Sequence, residues 1–305
     1  MNPILDVEGE QPVEDRPSGL HLPDLIRLTR PLNGVFTALS AGVGALTAAS
    51  DPQWVLGWDT IFVVAAATLI GAAGNVDNDL LDLEIDRVNR PHRPLPAGRV
   101  SPLLARTLSL ILVLGGFALA HSLGGGCAAI AAGVALGLVL YNRLGKNTGL
   151  AGNLLVSLLA ASTFPFGALA VSGGLGRSWI PAGFALLYHL GREIVKDVED
   201  ATGDRGRRRS LALTAGPGAA LSIAAACLIA VILLSPLPWW LGHYGYAYLL
   251  PVLALDAYLF FFIWRRLRRE DVLGAQPFAR SRSLRAAMSL GLLAVVLGEL
   301  WHYPT

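Results

Sequence analysis

Apolar residues run along this chain in nine long blocks separated by charged connections. The blocks are roughly 17–25 residues long, enough to cross a hydrocarbon core as helices. They centre near Ala41, Ala66, Val113, Val134, Leu158, Ala185, Ala224, Leu253 and Leu293. Small residues recur inside them, as in Gly71-Ala72-Ala73-Gly74 and Ala131-Ala132-Gly133, a composition that lets membrane helices approach closely. The pattern predicts an all-α polytopic membrane protein over residues 20–305, with nine transmembrane helices bundled around a central cavity. Residues 1–19 read as a flexible tail.

Composition agrees with that pattern. Of the 305 residues, 53% are hydrophobic and only 15% charged, too apolar for an ordinary soluble domain. The net charge of +2 says less than where the bases lie. Taken with the helix ends that flank them, the tail and every second connection hold all but one of the 24 Lys and Arg, the exception being Arg177. By the positive-inside rule the N-terminus is cytoplasmic and, after nine crossings, the C-terminus is not. Trp54, Trp58, Trp179, Trp239, Trp240 and Trp301 gather at the opposite ends, as an interfacial belt would. The first 20 residues carry Asp6, Glu8, Glu10, Glu14 and Asp15 in place of the basic and apolar regions of a signal peptide. Cys127 and Cys227 lie inside apolar blocks and imply no disulfide framework. Nothing in the pattern implies a nucleic-acid partner.

Two acidic stretches break the apolar pattern, one after the second block and one after the sixth. The first runs Asn75-Val76-Asp77-Asn78-Asp79-Leu80-Leu81-Asp82-Leu83-Glu84-Ile85-Asp86, and the second Arg192-Glu193-Ile194-Val195-Lys196-Asp197-Val198-Glu199-Asp200-Ala201-Thr202-Gly203-Asp204. At about 100° per residue, Asn78, Asp79, Asp82 and Asp86 share roughly a 100° arc of one helix face. Glu193, Asp197, Asp200 and Asp204 share about 60° of another, with Glu199 pointing away. Carboxylates at a membrane edge are expensive unless something compensates them. Each stretch closes an apolar block and precedes a basic loop, which hints at an internal repeat.

Mg²⁺ takes oxygen ligands, keeps several waters and commonly binds through one or two carboxylates plus substrate phosphates. Two facing acidic helices suit two such ions. Arg30, Arg93, Lys146, Lys196 and Arg209 lie where they could reach phosphate oxygens. Acids and bases together point to a diphosphate bridged by metal, and an apolar bundle behind it suits a long prenyl chain.

These residues also carry a resemblance. Asn78-Asp79-x-x-Asp82-x-x-x-Asp86, followed by Asn89-Arg90-Pro91-His92-Arg93-Pro94-Leu95-Pro96-Ala97-Gly98, resembles the first signature of the UbiA-type intramembrane prenyltransferases. The second stretch resembles their second aspartate-rich motif. The likeness extends over nearly the whole chain after about Leu25, including Leu28-Thr29-Arg30-Pro31-Leu32-Asn33 and Lys146-Asn147-Thr148-Gly149-Leu150-Ala151-Gly152-Asn153. It implies Mg²⁺-dependent transfer of a prenyl group from its diphosphate to a hydrophobic acceptor by way of an allylic cation. Asn78, Asp82 and Asp86 would line one metal site with Asp79 assisting, and Asp197, Asp200 and Asp204 the other. Arg93, Lys146 and Lys196 would bind diphosphate, and Arg30 either the diphosphate or an acceptor phosphate. Asn33 and Asn153 would be polar contacts at the cavity mouth. The second motif is most like that of members acting on geranylgeranylglyceryl phosphate. Two positions depart from the wider family: Arg192 stands where many members have Tyr, and Arg209-Ser210-Leu211-Ala212 where many have a Lys-Thr-Leu-Pro-like segment.

Other readings stay open at this point. An aromatic quinone precursor would use the same donor motifs. A transporter would carry ionisable groups deep inside its spans, whereas here the acids gather at one membrane face. Arg207-Arg208-Arg209 and the run from Arg265 to Arg269 read as topology determinants, with Arg209 alone a candidate for the substrate. His92 reads as a loop residue. His121, His189, His243 and His302 lack metal-ligand spacing. Tyr141 and Tyr188 read as packing, and Gly124-Gly125-Gly126 as a turn.

Overall fold

The structure, a computed structural model, describes residues 21–49, 55, 57–204, 209–267 and 279–301. The tail over residues 1–19 lies outside them. The chain enters through α1 (Leu22–Thr29) and turns at Arg30 into α2 (Pro31–Ala48). Pro31 suits a first helical position, where its missing N–H costs nothing. Arg30 itself is left-handed (φ 53°, ψ 70°), the single such non-glycine among the described residues, a conformation that costs of order 1–3 kcal/mol. Next come α3 (Trp58–Leu81), α4 (Leu83–Asn89), α5 (Pro102–Ser122) and α6 (Gly125–Arg143). Ser101 caps α5 by accepting from the Leu104 N–H at 3.2 Å. A single turn over Gly145–Asn147 leads to α7 (Leu150–Ala161), α8 (Thr163–Ser172) and α9 (Trp179–Asp204). The chain ends through α10 (Leu211–Thr214), α11 (Pro217–Leu234), α12 (Leu237–Trp240), α13 (Leu249–Phe262) and α14 (Ala279–Leu300). There is no strand among the described residues.

Seven stretches are long and apolar enough to cross a membrane: Trp58–Leu81, Pro102–Ser122, Gly125–Arg143, Leu150–Ser172, Pro217–Trp240, Tyr246–Arg265 and Ser281–Leu300. With Leu103, Leu114, Leu233 and Leu250 exposed on their outer faces, they make this an integral membrane protein. The two remaining blocks, α2 and α9, are less apolar for a structural reason. Helix α2 packs against α3, α8 and α14, and α9 against α7, α11 and α14, so both turn their polar positions inward rather than to lipid. The block around Leu158 divides at Ser162 into α7 and α8. Pro165 lacks an N–H to give to Ala161, and its ring would strike that carbonyl in a continuous helix.

Two glycines bring α2 and α8 into backbone contact. A Cβ on Gly44 would lie 2.0 Å from the Phe164 carbonyl oxygen, and one on Gly167 would lie 1.9 Å from that of Ala41. At the end of the bundle away from the acidic stretches, Arg177 pairs with Glu299, which is fully buried. The base that breaks the charge pattern is therefore neutralised inside the protein. Trp58, Trp179, Trp240 and Trp301 are exposed at that same end, while Trp54 is outside the described residues. Cys127 and Cys227 are free.

Candidate active site

Most of the polar side chains singled out above gather at one end of the bundle, where α3 and α4, the loop after α4, the start of α7 and the end of α9 meet. The first acidic stretch is one continuous face only as far as Asp82, which sits between α3 and α4 with φ −88° and ψ 4°. The i to i+4 ladder nonetheless runs through it, from Asp82 N to Asn78 O at 3.0 Å and from Asp86 N to Asp82 O at 2.7 Å. Asn78 and Asp82 therefore stay together, Asn78 Nδ2 donating to Asp82 at 3.2 Å. Lys146 Nζ reaches the same Asp82 oxygen at 2.9 Å.

The loop after α4 delivers Arg93. Leu95 and Val100 are buried against Leu28, Val76 and Ala105, Gly98 supplies a left-handed turn at φ 71°, and Arg99 Nε donates to Asp24 of α1 at 3.0 Å. Held this way, Arg93 Nη1 bridges Asp79 at 3.0 Å and Asp86 at 2.5 Å. Arg30 pairs with Asp79 from the other side, so the strained junction between α1 and α2 aims a guanidinium into the site. Asn75 Nδ2 fastens α3 to that junction through the Thr29 carbonyl at 3.1 Å. On α9, Asp197 accepts from Asn153 Nδ2 at 2.9 Å. Arg90 reaches Asp200 at 3.4 Å, which joins the two acidic stretches. Glu193 accepts from Arg192 and, at 3.2 Å, from Lys196. The Asp204 side chain is outside the described residues.

Beneath these groups lies a cavity of about 300 Å³. Arg30, Asn33, Asn78 and Lys196 line its polar mouth, and Ile70, Val134, Leu138, Leu159 and Phe166 line its depth. Arg209 does not join the cluster: its side chain is exposed and its backbone N–H bonds Asn147 at 3.4 Å. Sequence reasoning misses Arg90, which looks like one more loop base, and Arg285, which looks like one more base of the last connection but lines the cavity beside Arg192. No local signal marks either, because each acts on residues remote in sequence. His189, given no role above, also lines the cavity.

Burial acts on two carboxylates at this face, Asp86 and Asp197. It raises Asp86 above the usual range, against the pull of Arg93. It pushes Asp197, at the polar end of α9, up to about 6, against the Asn153 hydrogen bond and the Lys196 charge. A raised value means that Asp197 holds its proton below about pH 6, and a cation must displace that proton to bind. Mg²⁺ affinity is expected to fall as pH drops through 6, by about tenfold per unit where one proton competes with one ion. Asn153→Ala removes a bond that favours the ionised form, so the fall should move to higher pH. Isothermal titration with Mg²⁺ between pH 5 and 8 checks this, and a flat profile would exclude Asp197 from the ligands.

The donors here are all oxygen, the set Mg²⁺ prefers. Among the described residues no three acidic, histidine or cysteine side chains close on one point. Asp79, Asp82, Asp86 and Asp200 are instead turned onto Arg30, Arg93, Lys146 and Arg90. That arrangement fits a hydrated ion that takes one or two carboxylates and completes its shell with phosphate oxygens, since the same cations can turn from carboxylate to phosphate.

An apolar cavity capped by interleaved acids and bases at one membrane end defines an intramembrane enzyme for amphiphilic anions. More particularly, the chain belongs to the UbiA prenyltransferase family, whose sequence profile matches residues 35–290. A digeranylgeranylglyceryl phosphate synthase of Methanopyrus kandleri is 38% identical over 277 residues, covering 90% of this chain and 98% of that protein. A structure solved for digeranylgeranylglyceryl phosphate synthase in membranes is similar with a TM-score of 0.70 and 30% identity, over 92% of this chain and 99% of the other. A UbiA homologue from Archaeoglobus fulgidus bound to GPP and Mg²⁺ shares the fold with a TM-score of 0.67 at 17% identity, over 90% and 98% of the two chains.

Proposed function

We propose that this protein transfers a geranylgeranyl group from geranylgeranyl diphosphate to the free hydroxyl of geranylgeranylglyceryl phosphate, making the second ether bond of a two-chain lipid. The observation that carries this reading is the pairing of two acidic helix ends above an apolar cavity, in a chain 38% identical to a synthase of that name across 98% of its length. In this reading Asn78, Asp82 and Asp86 hold one Mg²⁺, and Asp197, Asp200 and Asp204 a second. Bound there, Mg²⁺ would neutralise charge on the departing diphosphate.

The protein's own groups do the rest. Arg93, Lys146 and Lys196 leave their carboxylate partners for diphosphate oxygens, and Arg30 lies within reach of the same group. Each cation in this water-poor mouth stabilises the charge that grows as the bond between C1 and the bridging oxygen breaks. Ile70, Val134, Leu138 and Leu159 keep water from the allylic cation. The acceptor's hydroxyl oxygen then bonds to C1, and its proton leaves on the diphosphate. The reading includes nine crossings, with α2 and α9 added to the seven apolar spans. The distribution of bases supports an active site and N-terminal tail on the cytoplasmic side of the cell membrane.

The test incubates detergent-purified protein with geranylgeranyl diphosphate, with and without Mg²⁺. The acceptors are geranylgeranylglyceryl phosphate, 4-hydroxybenzoate and a dihydroxynaphthoate, with products read by mass spectrometry. Mg²⁺-dependent transfer to the glyceryl phosphate alone is expected. Transfer to an aromatic acceptor alone would overturn the acceptor and leave the donor chemistry in place.

A further inference from the structure

Two arginines beside the site, Arg192 buried and Arg285 half-buried, have no assigned work. Arg192, on α9, is only 8% exposed. It gives one terminal nitrogen to Glu193, but its Nε is buried with no partner. Arg285, on α14, likewise has a buried and unpartnered Nε. Both line the 300 Å³ cavity, and each lies within electrostatic reach of the other. The bases of the acidic face, by contrast, are engaged: Arg30 and Arg93 with Asp79, Lys146 with Asp82, Arg90 with Asp200. Arg192 is one helical turn below Lys196 on α9, so it stands deeper in the bundle than that face. Glu193, the carboxylate beside them, is shared with Lys196, so two guanidiniums set this deep stay under-compensated until a second anion joins them.

Their position is built rather than incidental. Glu199, on the side of α9 away from the site, accepts from the Ser281 N–H at 3.0 Å in the first turn of α14. Tyr188 donates its hydroxyl to the Leu284 carbonyl at 2.7 Å, one residue before Arg285. Both bonds fix α14 against α9 with the two arginines adjacent. Below them, His189 and Met288 line both the main cavity and a second one of about 80 Å³. The second cavity is bounded by Phe184 and Ala185 of α9, Val252 of α13 and Leu292 and Val295 of α14. Arg285, Met288, Leu292 and Val295 stand three or four residues apart, which is one face of α14. A cationic head therefore opens onto an apolar lane whose lining does not include Val134 or Leu138 of the main cavity.

We infer that Arg192 and Arg285 seat the phosphate of the acceptor lipid, and that the second cavity takes its isoprenoid chain. This deepens the acceptor reading above and rests on it. The donor chain then runs along α3, α6 and α7 and the acceptor chain along α9, α13 and α14. Both headgroups enter from the same membrane end, so the chains lie parallel, as they must in a product that carries both on one glycerol. A compact aromatic acceptor would have no use for the second lane.

The experiment measures binding in EDTA, where no turnover occurs, by titrating geranylgeranylglyceryl phosphate, its dephosphorylated alcohol and geranylgeranyl diphosphate into wild-type protein and variants. Arg285→Gln and Arg192→Gln should each weaken the glyceryl phosphate about tenfold or more, the loss expected for a hydrogen-bonded charge. Binding of the alcohol and of the diphosphate should change little, and Arg285→Lys should restore most of the loss. Leu292→Trp, which fills the second cavity, should weaken the phosphate and the alcohol alike. Inorganic phosphate should compete poorly, because it lacks the chain. The inference is overturned if the arginine variants weaken the diphosphate instead, if wild type binds phosphate and alcohol equally, or if inorganic phosphate competes as well as the lipid. Wild type that binds the glyceryl phosphate through these arginines yet never prenylates it would sink the proposed reaction and leave the seat standing. Transfer that proceeds normally in Arg285→Gln with an unchanged acceptor KM would sink the seat alone.

Discussion

Asp82→Ala abolishes prenyl transfer, with a loss on the order of 10³-fold, in a protein that still assembles its helices. Asp82 is joined at once to a proposed ligand in the preceding turn, Asn78 at 3.2 Å, and to a base from another element, Lys146 at 2.9 Å. Removing it deletes an oxygen ligand and the 2.9 Å ion pair with Lys146, whose side chain is 9% exposed. The bundle should survive, because Asp82 lies at the junction of two helices and belongs to none of the apolar core clusters. Asp82→Asn separates the two contributions. It keeps the size and a hydrogen-bonding oxygen but not the charge, so a purely structural Asp82 would tolerate it, whereas a metal ligand would not. Asp200→Ala should behave like Asp82→Ala, since its carboxylate receives Arg90 from the first motif. The measurement is Mg²⁺-dependent turnover alongside far-ultraviolet circular dichroism. A well-folded Asp82→Ala protein with near-normal turnover would remove Asp82 from the site.

How far that site is readable from the chain depends on distance along it. Asn78 and Asp82 are one turn apart, so helical periodicity alone puts them together, and the structure joins them. The pairing of Arg93 with Asp79 and Asp86 is nearly as local, carried by a proline-rich loop that can only double back. Asn153 and Lys146 are different. Their partners are 44 and 64 residues away, so spacing pairs neither with its carboxylate: Lys146 enters only as a base at the right membrane end, and Asn153 only by resemblance. Arg285 escapes both routes. It looks like the last base of a topology-setting connection, and only the packing of α14 on α9 turns it inward. The apolar blocks show the same limit. Length and composition mark the helices that meet lipid, but α2 and α9 also turn polar faces inward against several neighbours. Their blocks are visible in sequence, and their central place is not. The division of α7 from α8 is legible in Pro165, yet the close crossing of α8 on α2 is written only as a glycine in each.

That crossing carries the other large effect, on assembly rather than chemistry. Lipid offers helices no hydrophobic reward for meeting, so α2 and α8 hold together by backbone-level packing. Gly167→Ala sets a methyl 1.9 Å from the Ala41 carbonyl oxygen and 2.8 Å from the Ala45 nitrogen. These are rigid backbone atoms, and they cannot step aside as a side-chain tip would. The helices must part, at a cost of about 1–3 kcal/mol, which in a chain of this length corresponds to a melting-temperature loss of about 2–5 °C. Gly133→Ala on α6 is the matched control, because a Cβ there meets nothing within 4 Å. Its better helix propensity should leave stability unchanged or slightly raised. Thermal unfolding of the two variants in one detergent decides the matter, and equal melting temperatures would refute the crossing. Activity should follow stability in Gly167→Ala, since α2 carries Arg30 and Asn33 at its head. A displaced α2 would withdraw the guanidinium that faces Asp79, linking a helix contact in the bundle interior to the charge balance at its mouth.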